Sequence, residues 1–86
     1  MLHFEIDLNL TLIFNIFFQY NDKPILWTQL VRLVEESNPA MMQKAPAALG
    51  TLTPIPKLTP QHIYLTPSLR MRVKLAAQVL PVNYPQ

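Results

Sequence analysis

The sequence predicts a mainly α-helical fold with two principal helices, at about residues 28–36 and 67–80. The first helix is predicted by apolar residues that recur at three- and four-residue spacing, the second by a Thr-Pro start followed by a long apolar run. Prolines number nine against one glycine and crowd into residues 39–67, which predicts a proline-rich linker between the helices. A chain of 86 residues holds one domain at most.

The N-terminal segment alternates strictly between apolar and polar side chains over residues 2–12. An alternation with period two is typical of a half-buried strand, so we expect a strand here. Glu5 and Asp7 would share one face of it, which we interpret as its solvated side, because two carboxylates are too few for a metal site. Turn-forming residues further on could close a short hairpin between residues 17–20 and 25–27.

The first principal helix has Thr28 as its expected N-cap, because a Thr hydroxyl can accept a hydrogen bond from an early helical amide. Its buried face is predicted by apolar residues at i, i+3, i+4 and i+7, namely Trp27, Leu30, Val31 and Val34. The sequence Ser37-Asn38-Pro39 is expected to end this helix, since the residue before a proline avoids the helical conformation.

Two short helical turns are expected between the principal helices. Residues 40–48 can form one, although Pro46 limits its length. Thr59-Pro60 is expected to start another, which runs to Tyr64. His62 lies within it and is expected to pack beside an aromatic neighbour or to cap the turn, because no cysteine or nearby carboxylate could complete a metal site with it.

The last helix, started by Thr66-Pro67 and stopped by Pro81, carries more apolar surface than a surface helix needs. On a wheel of about 100° per residue, its apolar side chains cover roughly two thirds of the circumference. Such a helix needs neighbours on more than one side, and so short a chain can hardly supply them all. We therefore interpret the chain as a piece of something larger, and we expect self-association through this apolar surface.

Three cations of the last helix are the candidate phosphate or partner contacts: Arg70, Arg72 and Lys74. Arg70 and Lys74 share a narrow polar stripe with Gln78, which is interpreted either as a solvated stripe or as a contact with a DNA backbone. Arg72 lies within the apolar arc instead. Its stem can pack there with the guanidinium at the edge, or the guanidinium can form a salt bridge or bind a phosphate in a complete domain.

The composition excludes several kinds of site. The chain has no cysteine, so neither a disulfide nor a thiolate zinc site can form. Gly50 is the one glycine, which excludes the common glycine-rich phosphate loop. No Ser-His-Asp set can be argued from the two histidines, and we predict no catalytic, cofactor-binding or metal-ligating residue.

Charge is distributed unevenly along the chain. All five acids lie within residues 1–36, which are net −3, whereas residues 37–86 contain no acid and are net +5. A basic half of this kind can favour phosphate or an acidic partner surface. No segment reaches the roughly eighteen consecutive apolar residues of a membrane span, so we expect no membrane partner.

Two blocks of residues carry a family resemblance. The first runs from Tyr20 to Trp27 and continues through Leu30-Val31 and Leu33-Val34-Glu35; the second comprises Pro56-Lys57-Leu58-Thr59, His62-Ile63 and the run from Met71 to Leu80. In order and spacing they resemble the GTP-binding insertion domain of P-element-type transposases, the family that often bears an N-terminal THAP zinc domain. That family usually has Gly where Asp22 stands, and it continues its last helix with small residues where this chain has Pro81.

The resemblance implies three parts: an apolar segment outside the family at residues 1–17, part of the insertion domain at 18–80, and a tail at 81–86. In the resembled family the stretch that corresponds to residues 1–17 is more like a helix, which conflicts with the strand predicted from the alternation. It implies GTP-dependent DNA transposition in the nucleus for the full-length family, with GTP and Mg²⁺ as cofactors. Partners would be the remainder of a transposase or DNA. None of the family's catalytic acids matches a residue here, and its nucleotide contacts are expected beyond this segment. The fragment is therefore expected to be no enzyme and to lack a bound cofactor.

An alternative comes from the residues alone. A small basic helical module could bind a partner protein or nucleic acid through the last helix, using its apolar arc or its cations.

Overall fold

The computed structural model describes residues 2–50, 53–57 and 61–79, with side chains described from residue 11 onward. In chain order its elements are α1 (Leu2–Gln19), β1 (Pro24–Leu26), α2 (Trp27–Ser37), a 3₁₀ turn (Pro39–Met41), α3 (Ala45–Leu49), β2 (His62–Tyr64) and α4 (Pro67–Gln78). The predicted mainly helical fold class is confirmed. The second principal helix ends two residues before its predicted limit, and the tail at 81–86 lies outside the described residues.

The N-terminal segment is a helix, so the prediction of a strand over residues 2–12 was wrong. A strict alternation places an apolar residue at every second position, and it therefore also supplies every i, i+4 pair that a helix needs. Further along, Ile13, Ile16 and Phe17 are spaced at i, i+3 and i+4, and all three are buried in the core. Burial of this helical face decides the outcome, because long-range packing overrides a local pattern.

The small sheet joins distant parts of the chain. Strands β1 and β2 pair antiparallel, with Ile25 opposite Ile63 and both side chains buried. The expected hairpin across residues 17–20 was wrong, because α1 runs to Gln19 and β1 pairs with β2 instead. The expected helical turn ending at Tyr64 was also wrong, since a partner strand satisfies the backbone groups there; Thr59 and Pro60 lie outside the described residues.

Helix α2 begins at Trp27, two residues earlier than an N-cap at Thr28 would allow. The residue before it, Leu26, is extended and makes no side-chain capping bond, so the prediction of Thr28 as N-cap was wrong. The first helical amide instead donates to the backbone oxygen of Gln61 at 2.8 Å, which continues the hydrogen bonding of the sheet into the helix. The predicted buried face is confirmed at Leu30 and Val34.

Asn38 connects the end of α2 with the end of α4. Its side-chain oxygen accepts from the amide of Ala40 at 3.1 Å and caps the 3₁₀ turn. Its side-chain amide donates to the backbone oxygens of Ala76 at 2.8 Å and Val79 at 2.7 Å. These carbonyls lie at the C-terminal end of α4, where backbone oxygens lack i+4 amides; that of Ala76 also accepts from the amide of Val79 at 3.4 Å. One buried side chain therefore closes two elements that lie about forty residues apart.

Residues 40–48 form the 3₁₀ turn and α3 rather than one helical turn. Pro46 falls in the first turn of α3, where its missing amide costs no helical hydrogen bond, and the helix starts only one residue before it.

A single core lies between α1, α2, α3, α4 and the sheet. It contains Ile13, Ile16, Phe17, Ile25, Leu30, Val34, Met41, Ala45, Leu49, Ile63, Leu65, Val73, Ala76 and Ala77. Helix α1 continues across the predicted boundary between residues 17 and 18, and its buried residues belong to the same core as those of α2 and α4. In the described part of the chain, no helix combines the length and apolar character that crossing a bilayer requires.

Candidate partner-binding face of the last helix

Helix α4 begins as its sequence predicts. Thr66 is extended, with φ −67° and ψ 162°, and its hydroxyl oxygen accepts from the amide of Leu69 at 3.2 Å. Pro67 occupies the first helical position, where its fixed φ suits the helix and its missing N–H leaves no bond unmade. The predicted Thr-Pro start is confirmed, and it fixes which residues of α4 face the core.

The inner face of α4 is made of small and branched side chains. Val73, Ala76 and Ala77 are buried there, and α4 contacts α1, α2 and α3. Alanines allow the helices to approach closely, since they bring little volume to the contact. This face accounts for only part of the apolar arc predicted from the sequence.

Arg70 is used inside the protein. Its Nε donates to the backbone oxygen of Leu65 at 2.9 Å, and its Nη2 donates to Oδ1 of Asn21 at 3.1 Å. The guanidinium carbon lies 5.6 Å from the centre of the Phe17 ring, which is a cation–π contact. The half-buried Arg70 is thus held by an aromatic residue of α1 and by two oxygen acceptors, which the sequence did not predict.

Lys74 lies one turn further along the same side of α4. Its Nζ is 5.6 Å from the centre of the Phe14 ring, and the rings of Phe14 and Phe17 meet edge to face at 6.1 Å. A cation over an aromatic face contributes about 0.5–1 kcal/mol at an exposed site. Lys74 is half-buried, so it also departs from the predicted solvated stripe and marks the border between α1 and the free side of α4.

Arg72 points away from the other two cations, toward the end of α3. Its Nη1 donates to the backbone oxygen of Leu49 at 3.4 Å, a long bond to a carbonyl rather than to a carboxylate. The guanidinium lies against Gly50, whose φ is +84°, and a side chain at that position would collide with Nη1. Arg72 itself is exposed and borders an open cleft of about 340 Å³. The three predicted contact residues therefore do not converge on one site.

The outer face of α4 carries three exposed apolar residues, together with the exposed polar residues Ser68 and Gln78. Met71, Leu75 and Val79 are 54%, 56% and 45% exposed, and we name these three residues the outer stripe. Met71 and Leu75 stand one turn apart on α4, and Val79 follows four residues later, directly after the end of the helix. At about 100° per residue, Lys74 falls on one side of this row and Arg72 on the other. The exposed Gln78 also lies on the Lys74 side, and the helix carries no acidic residue, so the charged residues beside the row are all cations.

The described residues bring no metal site together. Across these residues no group of three or more His, Cys, Asp or Glu side chains is arranged to hold a metal ion. Glu35 instead accepts a bond from the amide of Gln43 at 3.0 Å. His62 lies in β2 opposite Leu26, and its Nδ1 is buried without a hydrogen-bond partner. The side chains of Glu5 and Asp7 fall outside the described part of the chain.

Sequence reasoning missed the aromatic partners of the cations. Phe17 falls in the hairpin expected across residues 17–20 and 25–27, and Phe14 lies outside every element predicted from the residues, so a contact with α4 was not predicted. The available signal was the i, i+3, i+4 spacing of Ile13, Ile16 and Phe17, which indicates a helical face.

Comparisons of the chain with protein families, with curated proteins and with solved structures return no match.

Proposed function

We propose that the chain is a truncated fragment of a P-element-like transposase that holds the beginning of the GTP-binding insertion domain. The family function would be GTP-dependent DNA transposition in the nucleus, and this fragment alone would be inactive. The observation that carries the proposal is that the two blocks of resemblance fold against each other. Strand β1 of the first block pairs with β2 of the second, as expected if both derive from one domain.

Asp22 supplies a second, independent support. It stands where the resembled family usually has Gly, and its φ is +61°, in the left-handed region. Glycine adopts that region without strain, and Asp is among the few other residues that tolerate it. The departure from the family pattern therefore falls where the backbone would explain a glycine.

Calorimetric titration of the purified chain with GTP and Mg²⁺ tests the proposed inactivity. We expect no binding in the micromolar range, because the nucleotide contacts would lie beyond this segment. A micromolar dissociation constant would contradict the proposed loss of the GTP site. The proposed origin has its own test in the genomic sequence on either side: reading frames for a nuclease core would support it, and unrelated flanking sequence would count against it.

A second candidate function is favoured by the outer stripe. A small basic helical module could dock to a partner through this row of exposed apolar residues, since contiguous apolar surface marks interaction sites more often than scattered residues do. Salt dependence separates protein docking from nucleic-acid binding. Phosphate contacts by Arg72 and Lys74 would weaken steeply with salt, whereas docking through the stripe would change little.

A further inference from the structure

We propose that the outer stripe of α4 binds an amphipathic helix of a partner protein, with apolar residues along its centre and Asp or Glu along its edges. This inference rests on the interaction-module function proposed above and names the partner's chemistry. Met71 and Leu75 lie about 6 Å apart along α4 at 1.5 Å per residue, which is about one helical turn, and Val79 extends the row just past the end of the helix. A partner helix docked in this way would contact the stripe through apolar anchor residues at three- and four-residue spacing.

The borders of the stripe select for acidic residues. Lys74 lies on one side and Arg72 on the other, and α4 contains no acid that would neutralise them. The described acids nearest in sequence, Glu35 and Glu36, belong to α2, and Glu35 already accepts a backbone bond. Charges at the edge of an interface contribute mainly to selectivity and association rate. The two cations would therefore favour amphipathic helices with acidic edges over those with neutral or basic edges.

Both cations are held in place before any partner arrives. The Arg72 guanidinium lies against Gly50 and donates to Leu49, and Lys74 sits over the Phe14 ring. Fixing long side chains in advance lowers the entropy that binding would otherwise cost. Phe14 is itself 49% exposed beside Lys74, so it widens the apolar surface on that side.

Other occupants fit this surface less well. A second copy of the chain would bring two cationic borders together, and like charges across an interface oppose association. A membrane would require side chains that insert about 5–10 Å, whereas about half of each stripe residue is covered by the chain itself. A nucleic acid would place its phosphates over the apolar centre. An acidic amphipathic helix satisfies both the centre and the borders.

A display selection tests which border residues in a partner helix the protein prefers. A library of one 18-residue helix with a fixed leucine row, and with its border positions varied among Glu, Gln and Lys, would be sorted against the full 86-residue chain. We expect enrichment of Glu at the borders. Selected peptides would then be titrated by fluorescence anisotropy against the wild-type chain and its variants.

The variants have matched controls. Leu75→Gln should weaken the selected peptide about tenfold, whereas Met42→Gln, at an exposed methionine outside the stripe, should change nothing. Arg72→Gln and Lys74→Gln should each weaken it about two- to fivefold, as expected for exposed ion pairs, and Lys57→Gln should have no effect. Melting curves would verify that each variant remains folded.

Several outcomes would overturn the proposal: enrichment of Gln or Lys, no enrichment at all, or binding that Leu75→Gln leaves unchanged. A DNA duplex, vesicles containing phosphatidylserine, and sedimentation of the chain alone are tested in parallel. If one of these interactions depends on Leu75 while no acidic helix binds, the acidic partner is refuted and the interaction-module function stands. If none depends on Leu75 and no peptide binds, both are refuted.

Discussion

The two principal helices, α2 and α4, differ in the side chains that they expose to solvent. The exposed positions of α2 are all polar: Thr28, Gln29, Arg32 and Glu36. The exposed row of α4 is apolar, with Met71, Leu75 and then Val79 just past its end. Helix α2 is therefore completed by the chain itself, with its apolar face inward and its polar face in water. Helix α4 keeps a second apolar face that the chain does not cover.

The charged residues follow the same division. Arg32 and Glu36 of α2 are exposed, in keeping with a solvated helix face. Arg70 and Lys74 of α4 lie over aromatic rings of α1, and Arg72 lies at the end of α3. A cation that packs on one side of a helix fixes where the opposite side points. The cations of α4 therefore orient its apolar outer face as well as bordering it.

The largest predicted effect tests whether α1 truly covers the inner side of α4. Phe17→Ala removes a buried ring and the seat of Arg70, and we expect it to lower the free energy of unfolding by about 3 kcal/mol. Phe18→Ala is the matched control, because that ring is 83% exposed and should change stability by less than about 0.5 kcal/mol. Urea denaturation followed by circular dichroism measures both. Equal, small effects would mean that α1 does not pack on α4.

The next effect tests how α2 and α4 are held together. Asn38→Ala removes the cap of the 3₁₀ turn and the side-chain donor to the backbone oxygens of Ala76 and Val79, at an expected cost of about 2 kcal/mol. Ser37→Ala is the control, since the Ser37 hydroxyl donates only to Val34 in its own helix and its loss should cost about 1 kcal/mol or less. If the two variants denature at the same urea concentration, the link between the helices contributes nothing of its own.

The contrast between α1 and the principal helices also explains what the sequence could predict. The face of α2 and the Thr-Pro start of α4 are local signals, contained within a few residues, and both were predicted correctly. The conformation of α1 and of β2 depends on partners far along the chain. His62 to Tyr64 becomes a strand because β1 is available to pair with it, which no local pattern encodes.

The candidate site divides in the same way. The sequence identified Arg70, Arg72 and Lys74 as the notable cations and recognised the excess of apolar surface on α4. It could not assign the cations to α1 and α3, because those assignments depend on packing across more than twenty residues of sequence. Consequently it grouped Arg70 with a solvated stripe, and it could not separate the covered part of the apolar arc from the open part.

A smaller effect tests the seat of Arg72 on the border of the outer stripe. Gly50 has φ +84° and ψ −163°, a region that other residues occupy only with strain, and a side chain there would also displace Arg72. We expect Gly50→Ala to cost about 1–3 kcal/mol. In an Arg72→Ala background the collision is absent, so the same change should cost less. A double-mutant cycle measures the difference. Strict additivity would show that the guanidinium does not rest against Gly50.

The smallest predicted effect gives α4 an outer face like that of α2. Leu75→Gln replaces a half-exposed apolar side chain by a polar one that is equally suited to a helix, so the free energy of unfolding should change by less than about 0.5 kcal/mol. Denaturation measures this, with Leu30→Ala on the buried face of α2 as the contrasting variant, expected to cost at least about 2 kcal/mol. A loss above about 1 kcal/mol for Leu75→Gln would mean that the chain already uses the outer stripe for its own stability. The outer stripe is available to bind a partner only if replacing its apolar side chains leaves the stability of the fold unchanged.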